Sequence, residues 1–313
     1  MHPAYSVIIF STLSGAGYGL LALGALAGAA HGPASSFAFG ALVMAIGLGL
    51  ITAGLLASTF HLGHPERAWR AVSQWRSSWL SREGVTALAT YVPALVFGWL
   101  WLDPQSSPIA IRIAGLALAA MCALTVICTA MIYASLATIR QWRHPIVVPV
   151  YLVMALATGA AILLAIAVPF GRGAVVLGVI AIMALLAAMA LKLWYWRAID
   201  REPRVLSIAM ATGLSEPVRQ WEPAHTARNF VMREMGYRVG RRHARRLRRL
   251  VLALFGLAGL LALPALLAGS GVAASLAAAG SAAAALTGAL IERWLFFAEA
   301  EHVSSLYYGA VGA

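Results

Sequence analysis

The chain has 313 residues, of which 61% are hydrophobic and only 11% charged, and its mean hydropathy is +0.82. Soluble proteins have about 25% charged residues, so this composition excludes an ordinary soluble domain and indicates a polytopic membrane protein. Both cysteines, Cys122 and Cys128, fall within one apolar run, which excludes a disulfide framework and a CxxC metal motif.

Eight apolar runs are long enough to cross the hydrocarbon core, which takes about 20 residues. Each is expected to be helical, because backbone polar groups in lipid must bond within their own segment. We therefore predict one all-α integral membrane domain over residues 1–313, whose N-terminus is the first span and not a removable signal. The predicted spans cover approximately residues 4–30, 38–60, 83–103, 109–136, 146–170, 173–196, 250–269 and 272–297.

The basic residues are distributed very unevenly between the two sides of the predicted membrane domain. Of 23 Lys and Arg residues, 21 lie in the loops after spans 2, 4 and 6 or at the same ends of spans 6 and 8, and only Arg112 and Arg172 lie on the other face. By the positive-inside rule the basic face is cytoplasmic, and both termini lie there. We expect a bacterial inner membrane location, and the net charge of +12 requires no nucleic acid to explain it.

The longest polar segment follows span 6 and covers residues 197–249, with 13 arginines. Its apolar residues recur at roughly helical spacing, which is typical of an amphipathic helix on anionic lipid. A docking surface for a partner subunit is an equally good interpretation, and the two are compatible. The candidate docking residues, from this segment and from the loop after span 2, are Arg67, Arg70, Arg76, Arg241, Arg242 and Arg245.

Residues 60–83, FHLGHPERAWRAVSQWRSSWLSRE, form an unusually long polar break between spans 2 and 3. His61 ends one apolar run and Glu83 begins the next, so two titratable groups are expected at the same edge of the membrane. Such groups can pass protons to or from a membrane quinone. The alternative is structural: His61 bonds helix carbonyls, and Glu83 stabilises a helix N-terminus.

Two neighbours complete the candidate quinone site. Arg82 is the expected ion-pair partner of Glu83, and Tyr133 is a hydrogen-bond donor predicted at about the membrane level of His61. An interfacial tyrosine is the alternative for Tyr133, and an aromatic belt explains the tryptophans of the same face.

The chain itself offers no redox centre. Its histidines lie near span ends or in polar segments, so we expect no transmembrane haem, and two cysteines do not suffice for an iron–sulfur cluster. No metal site is predicted.

Two stretches of the sequence resemble the dimethyl sulfoxide reductase anchor subunit family. The first is HLGHPERAWRAVSQWRSSWLSRE, which resembles that family's signature HLG-x-P-x-R-A … S-x-L-S-x-E. The second is the closing GALIERWLFF, which resembles the family's last span. The eight-span layout agrees, so the resemblance covers most of the chain. The segment REMGYRVGRRHARRLRRL further resembles the branch that serves as membrane subunit of cytoplasmic sulfite dehydrogenases. The resemblance implies a complex with a molybdopterin subunit and an iron–sulfur subunit, in which the membrane subunit binds ubiquinone or menaquinone. It also assigns His61 and Glu83 to the quinone site.

Three alternatives remain open. A dimethyl sulfoxide-type reductase that oxidises menaquinol has the same architecture, but its exported partners would place the His61–Glu83 side outward. A solute transporter would show internal repeats or charges at mid-membrane, and we find no convincing repeat. In a purely structural anchor, substitution of His61 and Glu83 would leave quinone-linked activity intact.

Overall fold

The computed structural model describes residues 4–60, 64–203, 206–215, 218, 221–222, 227 and 239–308. Within them, eight long apolar helices are each able to cross a membrane, as the sequence predicts. They are α1 Tyr5–His31, α2 Phe37–Thr59, α3 Trp79–Leu102, α4 Pro108–Ala134, α5 Val147–Ala167, α6 Ala174–Arg201, α7 Val239–Ala268 and α8 Val272–Ala298. Shorter helical segments cover Pro65–Val72, Val168–Phe170, Ile208–Thr212 and Val303–Tyr308.

The bundle consists of two four-helix halves that meet at α1. In the first half, α1 packs on α2 and α4, and α3 packs on α4. In the second, α5 packs on α6 and α8, and α7 lies against α6 and α8. Since α1 also contacts α5 and α8, it is the central helix and joins the two halves.

Glycine permits the closest of these helix contacts. At the crossing of α1 and α5, Gly19 and Gly159 lie against each other, and a Cβ on Gly19 would overlap the Ala155 carbonyl. Small residues allow such close approach in membranes, where no hydrophobic force draws helices together. Polar residues of α1, α4 and α5 can therefore meet within the bundle.

Helix α3 has one face toward the interior of the bundle and an opposite face toward the lipid. Its buried residues recur at helical spacing along one face, and its exposed apolar residues form the opposite face. A hydrogen bond of 3.1 Å between the hydroxyls of Thr90 and Thr125 joins the buried face to α4. The buried stripe begins with Glu83 and continues through Ala87, Thr90, Ala94, Phe97 and Trp101.

The predicted basic segment 197–249 falls largely outside the described residues. Its final part belongs to α7, a continuous helix of 30 residues that begins at Val239. At 1.5 Å per residue this helix is about 45 Å long, so its first three arginine-rich turns extend beyond a hydrocarbon core of about 30 Å. The side chains of Arg242 and Arg245 are exposed on these turns, and that of Arg241 lies outside the described part.

Candidate functional site

The structure places Glu83 in the interior of the bundle and not on its surface. Glu83 lies one turn inside α3, and only 6% of the residue is exposed. The side chain rests against Thr129 of α4, and its Oε1 atom has no hydrogen-bond partner in the described part of the chain. A buried carboxyl oxygen without a partner is costly, so this position is better suited to a ligand or a proton than to helix capping.

The prediction that Arg82 forms an ion pair with Glu83 is wrong. Arg82 points away from the bundle: its Nε donates to the Trp75 carbonyl at 2.9 Å and its Nη2 to the Arg76 carbonyl at 2.7 Å. The guanidinium also lies 4.2 Å from the centre of the Trp79 ring. Adjacent helix residues point about 100° apart, so Arg82 faces the polar loop while Glu83 faces the interior.

Tyr133 is enclosed within the chain, which contradicts its interpretation as an interfacial tyrosine. It is only 7% exposed, and its ring lies 5.1 to 5.8 Å from those of four aromatic residues. It also lies within electrostatic range of Glu83, so the structure brings these two predicted site residues together. The four surrounding rings are those of Trp142, Tyr151, Phe296 and Phe297.

The remaining predicted residues fall into two groups. His61 lies outside the described residues, so its distance from Glu83 stays a prediction. The arginines proposed for docking on the described part of the chain are exposed, either on the loop beside α3 or on the first turns of α7: Arg67, Arg70, Arg76, Arg242 and Arg245.

The structure adds a buried charged cluster that the sequence analysis did not identify. Lys192 of α6 and Glu292 of α8 form an ion pair, with 2.6 Å between Nζ and Oε1. Arg293 lies on the other side of Glu292, at 3.4 Å between Nε and Oε2. None of the three residues is more than 3% exposed. Glu292 and Arg293 are therefore enclosed within the chain, although they lie near the end of α8.

A signal for this cluster was present in the sequence. Charged residues within apolar spans are expensive and usually pair with each other inside the bundle. Lys192 lies four residues before the end of predicted span 6, and Glu292 and Arg293 lie five and four residues before the end of predicted span 8. An ion pair between spans 6 and 8 could therefore have been predicted from the sequence.

A small cavity lies between the charged cluster and Glu83. Helices α1, α4, α5 and α8 surround it, and about 20 Å³ is open to the centre of a water-sized sphere. Thr129, which rests against Glu83, forms part of its wall, and Arg293 forms another part. Two of the lining residues, Thr12 and Tyr18, have buried hydroxyls without a hydrogen-bond partner among the described residues, and Tyr151 and Arg293 interact with each other in the same wall.

Comparison with known proteins assigns the family. Residues 1–298 match the family model described as DMSO reductase anchor subunit (DmsC). The chain belongs to the DMSO reductase anchor subunit family. It is also similar to the C subunit of the sulfite dehydrogenase of Allochromatium vinosum, with 35% identity over 332 aligned positions that cover 99% of this chain and 100% of the relative. The match to this anchor subunit family agrees with the multi-pass architecture and with the resemblance found in the sequence.

Proposed function

We propose that this anchor-family chain is the membrane and quinone-binding subunit of a three-subunit oxidoreductase. Its partners in this proposal are a molybdopterin subunit, which holds the catalytic site, and an iron–sulfur subunit. The observation that carries the proposal is the buried Glu83 carboxyl at the end of α3 next to the polar loop, whose Oε1 lacks a partner among the described residues.

Sulfite is the proposed electron donor. The similarity along the whole chain to the C subunit of a sulfite dehydrogenase supports it. Oxidation of sulfite with one water gives sulfate, two protons and two electrons. Two electrons and two protons convert a quinone to a quinol, so the two half-reactions balance.

The residues around Glu83 fit a quinone head group in chemical terms. A carboxyl group can donate a proton to a quinone oxygen as electrons arrive, and Tyr133 lies nearby. The cavity beside Thr129 has room for about one water. The quinone ring is therefore proposed on the loop side of Glu83, and the family resemblance assigns His61 to the same site. The role of Arg82 in this proposal is to hold the loop against α3 through the Trp75 and Arg76 carbonyls.

We infer the side of the membrane from the distribution of basic residues. The basic face carries 21 of 23 Lys and Arg residues, so we place it and the partner subunits in the cytoplasm of a bacterial cell. The exposed arginines of the loop and of α7 would contact the partners and the lipid headgroups.

The test compares two conservative variants in the complete complex in native membranes. We expect Glu83→Gln to lower sulfite-dependent quinone reduction by about 100-fold, the low end for a lost proton-transfer group. Electron transfer from sulfite to a dye that accepts from the partner subunits should be unchanged. Glu66→Gln removes an exposed carboxylate from the same loop and serves as the control.

Equal quinone activity in both variants would refute the proposed role of Glu83. A complex that reduces quinone normally after both His61→Ala and Glu83→Gln would indicate a purely structural anchor.

The second candidate function is menaquinol oxidation by a DMSO reductase-type complex, which the family match favours. Membranes that reduce dimethyl sulfoxide with menaquinol, but do not reduce quinone with sulfite, would select it. The proposed quinone site is the same in both cases.

A further inference from the structure

The cavity beside Glu83 is polar enough to hold water. The hydroxyls of Thr12 and Tyr18 are buried and lack hydrogen-bond partners in the described chain, and both residues line this one cavity. Tyr151 and Arg293, which interact with each other, form the rest of its polar wall. A cavity of about 20 Å³ with several polar partners satisfies the requirements for a buried water. Four polar side chains at one cavity, two of them without a partner in the described chain, favour a water site there.

This water site extends to Glu83 on one side. Thr129 lines the cavity and its side chain lies against the Glu83 carboxyl. The hydroxyl of Thr129 also lies 3.1 Å from the Thr125 carbonyl, which fixes its position on α4. Tyr18 and Tyr151 also lie within electrostatic range of Glu83, so the cavity hydroxyls and the carboxyl influence each other.

On its other side the cavity meets the buried charged cluster. The Arg293 guanidinium lies 3.6 Å from the centre of the Tyr151 ring and 3.4 Å from Glu292, which in turn pairs with Lys192 at 2.6 Å. Arginine stays protonated in proteins, so Arg293 supplies fixed charge. Glu292 and Lys192 are the members of the cluster that can exchange a proton.

The cluster continues toward an open cleft on the basic face. Lys192 interacts electrostatically with Glu299, and Glu299 accepts a hydrogen bond of 2.9 Å from Arg248 Nε. Burial raises the pKa of the Glu299 carboxyl, which favours its protonated form. The Arg248 guanidinium also donates to Asp200 at 2.6 and 3.0 Å, and the Asp200 side chain is 57% exposed.

The cleft itself is polar and large enough for bulk water. It has a volume of about 580 Å³, and Glu299, Arg248 and Asp200 line it. It lies between the end of α6, the beginning of α7 and the end of α8. By the alternation of the helices, this is the side of the membrane on which α3 begins and Glu83 lies.

We propose that protons reach Glu83 from this cleft through the interior of the bundle, by way of Glu299, the Lys192–Glu292 pair and the cavity water. The proposal rests on the quinone site proposed above. For each quinone reduced, two electrons come from the iron–sulfur partner. Two protons complete the quinol: Glu83 donates one to a quinone oxygen and is reprotonated through the cavity water, and His61 of the proposed quinone site donates the other. The water recovers its proton from the Lys192–Glu292 pair, which is recharged from the cleft through Glu299.

The experiment uses the complete complex in native membranes and one hydroxyl deletion. Tyr151→Phe removes a buried hydroxyl from the cavity wall and keeps the ring. Tyr91→Phe is the matched control, because Tyr91 lies on α3 and its hydroxyl is already bonded to Thr52 at 2.7 Å. We expect Tyr151→Phe to lower sulfite-dependent quinone reduction by about tenfold, equivalent to about 1.4 kcal/mol in the barrier. Dye reduction at the partner subunits should be unchanged.

Two further readouts separate proton delivery from a structural role. The slowed variant should show a larger solvent isotope effect in deuterated water. The double variant Lys192→Met with Glu292→Gln should also be slow, and a small weak acid such as formate should partly restore its quinone rate. A merely distorted site would show neither effect.

The possible failures are distinguishable. If Tyr151→Phe reduces quinone at the rate of Tyr91→Phe while Glu83→Gln is inactive, the interior route is wrong and the quinone site stands. If Glu83→Gln is also fully active, the proposed function itself fails. Should the double variant not assemble, the Tyr151→Phe comparison alone decides.

Discussion

Removal of the Glu292 carboxylate is the most informative test of the buried cluster. In Glu292→Gln, Lys192 and Arg293 remain as two buried cations, 1% and 3% exposed, with no anion between them. Breaking a buried ion pair by removing one partner costs about 3–5 kcal/mol, because an uncompensated charge remains. In Lys192→Met, Glu292 still faces Arg293 at 3.4 Å, so we expect only the loss of a charged hydrogen bond, about 1–3 kcal/mol.

The assay is the free energy of unfolding in detergent, measured for the membrane subunit from SDS titration followed by circular dichroism. The order of stability should be parent, then Lys192→Met, then Glu292→Gln. The double variant should be more stable than Glu292→Gln alone, since it contains one cation fewer. Glu66→Gln, an exposed control, should lie within about 0.5 kcal/mol of the parent. A Glu292→Gln variant at least as stable as Lys192→Met would refute this electrostatic explanation.

Three further predictions concern packing, docking and orientation. Gly19→Ala places a methyl group on the Ala155 carbonyl and should destabilise the bundle by about 1–3 kcal/mol, whereas Gly15→Ala on the same helix meets no neighbour and should be neutral in the same SDS titration. Reversal of three exposed loop charges should reduce co-purification of the partner subunits, and Arg172→Glu on the opposite face should not; the loop substitutions are to glutamate at Arg67, Arg70 and Arg76. A reporter fused to the C-terminus should be active only in the cytoplasm, and an external reporter would contradict the assigned orientation.

The eight helices could be predicted because each corresponds to one continuous apolar run in the sequence. An apolar run of sufficient length in lipid has only one way to satisfy its backbone. The interior position of Glu83 also has a local basis, because Ala87, Thr90 and Ala94 continue the same helical face. The helical fold and the choice of Glu83 as a candidate site residue could therefore be predicted from the sequence.

The partners of the charged residues could not be predicted in the same way. Arg82 and Glu83 are neighbours in sequence, which suggested an ion pair, but helix geometry separates their directions. Lys192 and Glu292 lie 100 positions apart and meet only because α6 and α8 both pack on α5. The cavity likewise depends on the close crossing of α1 with α5, which Gly19 and Gly159 permit.

The most direct test of the proposed quinone site is photolabelling with an azido-quinone. The complete complex would be labelled in native membranes, digested and mapped by mass spectrometry, with Glu83→Gln beside the parent. We expect label within residues 61–83 of the parent that an excess of unmodified quinone prevents, and less label in Glu83→Gln. Label confined to other segments, and unchanged in Glu83→Gln, would contradict the assignment of quinone binding to Glu83.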